Sequence, residues 1–294
     1  MTIVSGPDAG SRSRIVEVLR EWQHEGAPMQ LHPGDVGWFS RWGAEATAAA
    51  AVRTWLRKGQ ILAIGLLDGP TLLRMTAAPD ALHDEELARA VVADVSDPKR
   101  EMFAAGKVSV EAPAGALVND LLSDAGWRQG EPWTPLRCDL MESLPGPDMR
   151  IEVIGPQQAE ARAAVHRASF SGSTFTAERW HAMAAGLPYV DARCLVAYDV
   201  EGNPVAAVTV WSAGPGKPGL LEPMGVHREH RGYGYGTAIT RAAAAALRDL
   251  GSSSAIVCTP SSNVGAVATY KSAGFRQLPE IRDRCLDSSV AALP

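Results

Sequence analysis

The chain predicts an α/β (α+β) protein made of two similar halves, and three observations carry that expectation. Strand-like and helix-like segments interchange along all 294 residues, a length that suits two domains of about 150 residues. Pro145-Gly146-Pro147-Asp148 forms a linker at the midpoint. Ser123-Asp124-Ala125-Gly126-Trp127-Arg128-Gln129 returns, shifted by 148 positions, as Lys271-Ser272-Ala273-Gly274-Phe275-Arg276-Gln277. The expected domains are residues 1–145 and 150–294.

Taken in order, Ser11 to His24 carries Ile15, Val16, Val18, Leu19 and Trp22 at helical spacing. Pro28 to Gly34 is expected to be a loop, with Pro33-Gly34 as a turn. Ala44 to Lys58 is expected to be a helix closed by Arg57-Lys58 and Gly59. Ile61–Leu67 and Thr71–Met75 form a strand pair about Asp68-Gly69. His83 to Val95 is a helix with Asp84, Glu85 and Glu86 in its first turn. Lys107–Glu111 is a strand, Ala116–Ala125 a helix stopped by Gly126, and Thr134–Leu140 a strand.

After the linker the plan repeats. Ile151–Ile154 is a strand, Pro156–Ser169 a helix with proline at its start, and Thr176–Ala185 a helix capped by Thr176. Cys194–Tyr198 and Val205–Trp211 are paired strands. Leu220–Val226 is a strand, followed by a glycine loop and an alanine-rich helix over Ala238–Leu250. Ala255–Cys258, Val264–Ser272 and Arg282–Leu286 read as strand, helix and strand.

Composition narrows the function. The net charge of −5 argues against nucleic acid and anionic membrane surfaces as partners. No apolar run approaches the roughly 20 residues of a membrane-spanning helix. The N-terminal residues Met1 to Gly6 show no signal-peptide pattern, so a cytoplasmic location is expected. Cys138, Cys194, Cys258 and Cys285 are widely spaced, as reduced thiols are. Neither they nor the histidines, including His227 and His230, supply zinc spacing, so no metal is expected.

The most specific stretch is Arg231-Gly232-Tyr233-Gly234-Tyr235-Gly236-Thr237-Ala238, between a strand and a helix. Free N–H groups at a helix start, approached closely because glycine has no Cβ, form an anion site. A P-loop is excluded, since no Gly-Lys-Ser/Thr follows a strand here. A Rossmann fingerprint needs glycine where Thr237 stands. The 148-residue shift lays His83-Asp84-Glu85-Glu86-Leu87-Ala88 on Arg231–Gly236. Carboxylates there satisfy the helix end themselves and repel phosphate. The first half is therefore expected to keep the architecture without the site.

Arg-x-x-Gly-x-Gly at Arg231, Gly234 and Gly236, followed about 30 residues later by Asn263 and Tyr270-Lys271-Ser272-Ala273-Gly274-Phe275, resembles the GNAT family of N-acetyltransferases. The likeness covers about residues 150–290, with the first half resembling a degenerate copy. It implies two tandem GNAT-like domains, each a mixed, mostly antiparallel sheet flanked by helices. It also implies acetyl-CoA as co-substrate, its pyrophosphate held by Arg231, Gly232, Tyr233, Gly234, Tyr235, Gly236 and Thr237, with Asn263 alongside. The N–H groups of Met224 and Val226 would meet the thioester carbonyl and pantetheine amide. Tyr270 would protonate the leaving thiolate, and its register mate Leu122 has no proton to give. Glu222 is the candidate base, against the alternative of a solvated strand-end charge. Pro223 is expected where strand pairing is already broken.

Phe170, Phe175, Trp180 and Tyr189 are candidate acceptor-pocket walls, with a core role equally open. The expected reaction is acetyl transfer by direct attack on the acetyl thioester by a primary amine that a small molecule or peptide carries. Two alternatives are a non-catalytic acyl-CoA-binding sensor and a mycothiol-synthase-like acetylation of a cysteinyl amine. The chain is expected to be a monomer or homodimer.

Overall fold

The computed structural model describes residues 2–6, 12–43, 50–141, 146 and 149–287. Its frame is one sheet running through both halves. The strands are β1 (Ile3–Ser5), β2 (Val52–Arg57), β3 (Gln60–Leu67), β4 (Leu72–Ala77), β5 (Lys107–Glu111), β6 (Arg128–Asp139) and β7 (Ile151–Val153). They continue as β8 (Ala192–Tyr198), β9 (Pro204–Trp211), β10 (Pro218–Val226), β11 (Ser254–Pro260), β12 (Arg276–Gln277) and β13 (Ile281–Asp287). The helices are α1 (Arg12–Trp22), α2 (Pro33–Phe39), α3 (Glu85–Ser96), α4 (Leu117–Asp124), α5 (Ala159–Ser169), α6 (Ala177–Ala184), α7 (Tyr235–Asp249) and α8 (Val264–Ser272).

The sheet order is β1-β2-β3-β4-β5-β13-β6-β11-β10-β9-β8-β7, with β12 on β6. Most neighbours are antiparallel; β4–β5 and β10–β11 are parallel. The last strand, β13, enters between β5 and β6 of the first half. In turn β6 lies against β11 of the second half over seven register pairs, Ser254↔Asp139 to Pro260↔Trp133. The halves therefore exchange strands at the centre of the sheet.

Two early expectations fail for local reasons. The described part of the expected Ala44–Lys58 helix is mostly the strand β2; residues 44–49 lie outside the described residues. Lys58 and Gly59 both have positive φ (51° and 80°) and join β2 to β3 as a two-residue hairpin, the conformation favoured between twisted strands. The glycine after a basic pair was a hairpin signal, and Val52, Thr54 and Trp55 supply the strand preference. Likewise Pro33-Gly34 opens α2. His32 caps this helix, accepting from the Gly34 N–H through Nδ1 (2.9 Å), and Asp35 closes a capping box on the His32 N–H (2.6 Å). The linker residues Pro145, Pro147 and Asp148 lie outside the described residues.

Helix α2 belongs to the first half by sequence but packs on the second. A Cβ on Gly34 or Gly37 would stand 2.5 or 2.3 Å from Trp211 ring carbons. The two glycines, one turn apart, therefore let the helix backbone lie on the indole. His32 Nε2 lies 3.2 Å from the Pro218 carbonyl, and Trp38 joins the core formed by Phe175, Trp180 and Trp211. Arg20 on α1 pairs with Asp191.

His32 and His166 are held neutral, burial pulling the first down to about 4 and the second to about 3. Unfolded histidine titrates near 6.5, so between these values the unfolded chain binds more protons and acid favours unfolding. Unfolding free energy is expected to fall by up to about 1.4 kcal/mol per pH unit per histidine below pH ~6.5. Urea titrations from pH 7 to 4.5 read the slope, and His32→Asn, which can still cap α2, should remove part of it. Truncation before Ile281 tests the strand exchange. Hydrogen exchange should then show loss of protection in β5 and β6 of the other half, and unchanged protection there would contradict the pairing.

Candidate active site

The site opens where two parallel strands separate. β10 pairs with β11 over Pro218–Leu220. Beyond that, β10 stays with β9, with a register break between Leu221 and Met224. Pro223, which has no N–H to contribute, sits in this break, as expected for a proline in a sheet. The His227 N–H donates to the Val205 carbonyl on β9 (2.8 Å). Alternation along the strand then turns the N–H groups of Val226 and Met224 away from β9, into the opening beside β11.

The glycine loop follows at once. Arg228 donates to the carbonyls of Ala168 (2.9 Å) and Arg167 (3.2 Å), and Arg231 to that of Ser169 (2.8 Å). Two cations thus satisfy the C-terminal carbonyls of α5 and fix the loop against it. Gly232 and Gly234 take φ values of 87° and 85°, a region costly for residues with a Cβ. At Gly236 a Cβ would stand 2.9 Å from Thr269 Cγ2, so glycine is needed there for close packing of α7 on α8. The first turn of α7 holds no acidic residue, leaving its N–H groups and the positive end of its dipole for an anion.

The same place in the first half is occupied. Asp84 caps α3, accepting from the Leu87 N–H (2.8 Å), and Arg57 grips both its carboxylate oxygens (2.7 Å each). The Arg57 hydrogen bonds are the main reason the Asp84 carboxyl is held down to about 2. The cap and its counter-ion fill this helix end.

Helix α8 presents the tyrosine. Asn263 caps it, accepting from the Ala266 N–H (3.2 Å). Tyr270, 5% exposed, packs near Phe275 with ring centroids 6.0 Å apart. Burial, then the charge of Glu222, then Cys258, raise its phenol pKa, so it keeps its proton at neutral pH.

These parts line one cleft of ≈ 1030 Å³. Its walls include Glu222, Met224, Val226, Arg231, Gly232, Gly234, Tyr235, Gly236, Thr237, Asn263 and Tyr270, all expected from sequence. Tyr233 does not line it and is 73% exposed, its ring 6.2 Å from that of Tyr235. Of the four aromatics expected at the acceptor wall, Phe170 lines the cleft. Phe175 and Trp180 are core residues, and Tyr189 packs edge-on against Trp180 and Trp211. Trp180 on α6, Phe175 in the loop before that helix and Tyr189 after it all pack into that core.

Sequence reading missed the far wall. It comes largely from the first half and the exchanged strand: Met29, Asp68, Leu72, Arg74, Glu111, Trp133 and Asp283. Arg74 binds Asp35 (2.9 Å), Glu111 (3.0 Å) and Glu222 (3.4 Å). Glu222 is therefore ion-paired rather than a free strand-end charge, its side chain 28% exposed. Asp283 is pushed up to about 6, by burial first and then by Glu111. Cys258 is pushed up to about 12, again chiefly by burial. One signal for this wall was present: the 148-residue shift lays Arg74 on Glu222. Among the described residues no cluster of metal-ligating side chains occurs, and no helix is long and apolar enough to cross a membrane.

Residues 161–275 match a family model described as Acetyltransferase (GNAT) family. Among solved structures, a GCN5-related N-acetyltransferase from Sphaerobacter thermophilus aligns with TM-score 0.62 at 18% identity, covering 98% of this chain and 96% of that one. A tandem GNAT protein from the clavulanic acid biosynthesis pathway gives 0.64 at 15% identity, covering 98% and 99%. An acetyltransferase from the GNAT family of Colwellia psychrerythraea gives 0.57 at 15%, covering 98% and 99%. At these identities the likeness is one of fold. Comparison with curated proteins gives no match.

Alanine at Gly37 places a methyl group inside the van der Waals envelope of Trp211. Gly37→Ala is expected to lower stability by about 1–3 kcal/mol, the usual cost of overpacking. Chemical denaturation measures it, and a stability equal to wild type would show that α2 does not bear on the indole.

Proposed function

We propose that this chain, whose C-terminal half belongs to the GNAT acetyltransferase family, carries an acetyl group from acetyl-CoA to a primary amine, using one working site in that half. The observation that carries the proposal is the contrast between two related helix starts. α7 offers bare glycine N–H groups to an anion, while α3 is filled by Asp84 and Arg57.

The residues fit the co-substrate. The backbone of Gly232–Thr237, with Arg231, would hold its pyrophosphate, and the free edge of β10 at Met224 and Val226 would pair with the pantetheine arm. When bound, acetyl-CoA supplies an acyl group activated as a thioester. The Met224 and Val226 N–H groups are fixed donors, and a well-placed oxyanion donor contributes roughly 3–4 kcal/mol to rate. Glu222 takes the proton of the acceptor ammonium, directly or through water. Tyr270 gives its phenolic proton to the departing sulfur. Direct attack is favoured over an acyl-cysteine route, because burial holds Cys258 in the cleft as a thiol and the thiolate is the nucleophile. Around the far wall, Asp68, Glu111, Glu222 and Asp283 outnumber Arg74, which suits an acceptor arriving as an ammonium ion. Tyr270 and Glu222 share the cleft, which a binding-only module would not require. A cytoplasmic enzyme, monomeric or dimeric, acting on a small molecule is the corresponding cellular picture.

Coenzyme A release over a panel of primary amines is the direct assay. Tyr270→Phe should lower kcat on the best amine by about 10²–10⁴-fold, the usual contribution of a positioned acid. A rate equal to wild type would remove Tyr270 as the acid. Gly234→Asp should abolish acetyl-CoA binding by calorimetry; unchanged affinity would refute the loop assignment. Tight binding without turnover on any amine would favour the sensor reading.

A further inference from the structure

The far wall of the cleft raises the question of what the first half does there. Two lines of contact from that half converge on Glu222. One reaches its backbone: Trp211 Nε1 donates to the Glu222 carbonyl (2.6 Å), and Trp211 is pressed from behind by Gly34 and Gly37 of α2. The other reaches its side chain through Arg74 Nη1, 3.4 Å from Glu222 Oε1.

Arg74 is well placed to hold a geometry. Its side chain is only 13% exposed and is anchored from two other directions. Asp35 on α2, itself nearly buried, lies in ion-pair contact with Nη1 at 2.9 Å, and Glu111 on the adjacent strand accepts a hydrogen bond from Nε at 3.0 Å. A guanidinium fixed in this way presents a directed donor at a set place, which the flexible, point-charged lysine ammonium does not.

Register explains how it comes to be there. β4 pairs with β5 through Leu72↔Ser109, Leu73↔Val110 and Arg74↔Glu111. A shift of 148 carries residues 72–74 onto 220–222, where the β10–β11 pairing stops at Leu220. The first half thus keeps its two strands together over the stretch where the second half opens. The Arg74–Glu111 ion pair crosses those closed strands. The residue that replaces the glutamate of the working half reaches over and binds that glutamate.

We infer that Arg74 is a positioning residue for Glu222, so that the half without a phosphate loop sets the carboxylate of the half that has one. This rests on the reading of Glu222 as the base, and the experiment separates the two. The variants are Arg74→Gln, Arg74→Lys, Glu222→Gln and the double variant Arg74→Gln/Glu222→Gln, each in the full chain. The acceptor is the amine with the highest turnover in the panel above.

Arg74→Gln should lower kcat about tenfold with KM for acetyl-CoA unchanged within about twofold, because the ion-pair partners of Arg74 are Asp35, Asp68, Glu111 and Glu222 and none belongs to the glycine loop. Arg74→Lys should recover only part of the loss. In the Glu222→Gln background the same Arg74→Gln change should cost less than about twofold, since the group it positions is gone. Equal costs in both backgrounds would overturn the inference and leave Arg74 a structural counter-ion. If Glu222→Gln alone turns over like wild type, the base reading has failed, and the positioning role falls with it. A crystal structure of Arg74→Gln gives a readout free of turnover: the Glu222 carboxylate should leave its present place, and finding it unmoved would also overturn the inference. Should loss of Arg74 impair folding, Glu111→Gln loosens the anchor while keeping the guanidinium. It should show the same dependence on Glu222 in kcat, and a cost equal in both backgrounds would count against the inference.

Discussion

The exchange of strands β6 and β13 is the constraint on which the rest of the structure depends. A strand edge inside a protein must find a partner for every N–H and C=O it exposes. Here β11 finds its partner in β6 of the first half, and β5 finds its partner in β13 of the second. Neither half completes its own sheet. The register along Ser254–Pro260 and Asp139–Trp133 therefore fixes the two halves rigidly, and with them the cleft that lies across the junction. A far wall containing Trp133, Glu111 and Asp283 follows from this topology.

Helix α2 secures the same junction by different means. Two glycines allow its backbone to approach Trp211, a large fully buried side chain whose polar N–H must also be satisfied. The N–H finds the Glu222 carbonyl in the interrupted part of β10. Asp35, on the same helix, is almost wholly desolvated and finds Arg74. Burial drives its pKa well above the ordinary carboxylate range, against the opposing pull of Arg74. Charges this deep are costly to bring out of water and are held by their mutual contacts. The cluster is thus sensitive to geometry, and a displacement of α2 is passed to both the backbone and the side chain of Glu222.

What the sequence revealed and what it hid have distinct physical causes. The glycine loop, the helix that begins after Asn263 and the break at Pro223 were legible because each depends on local backbone geometry: positive φ, a helix start, a missing N–H. Tyr270 was picked out by its place in the family motif, and the capping role of Asn263 came only with the structure. Most elements were legible for a similar reason, since periodicity and caps are local. The segment before Gly59 misled because a glycine after Arg57-Lys58 suits both a helix end and a tight hairpin, and only the pairing of β2 with β3 decides. Phe175 and Trp180 stayed open between pocket wall and core because an aromatic residue carries no mark of which cavity or core it faces, and the structure places both in the core. The far wall was hidden in a stronger sense. Glu111, Trp133 and Asp283 are brought together by β13 crossing into the other half, a non-local event with no periodic signature.

The first half has the look of a disused copy, yet three of its departures from the second do structural work. Where α7 starts with glycines, α3 starts with Asp84, which caps the helix and fastens it to β2 through Arg57. Where Tyr270 lines the cleft, Leu122 is fully buried in the apolar core of the first half. Where β10 and β11 part, β4 and β5 stay paired through Arg74 and Glu111. Each change removes a group able to meet a ligand and puts in its place a group that meets the protein. The last of them turns outward again, since Arg74 spans from its own closed strands to the carboxylate at the open ones. Two copies of one architecture thereby become unequal parts of a single cleft, one with its strands parted and the other with its strands closed and an arginine laid across to the first.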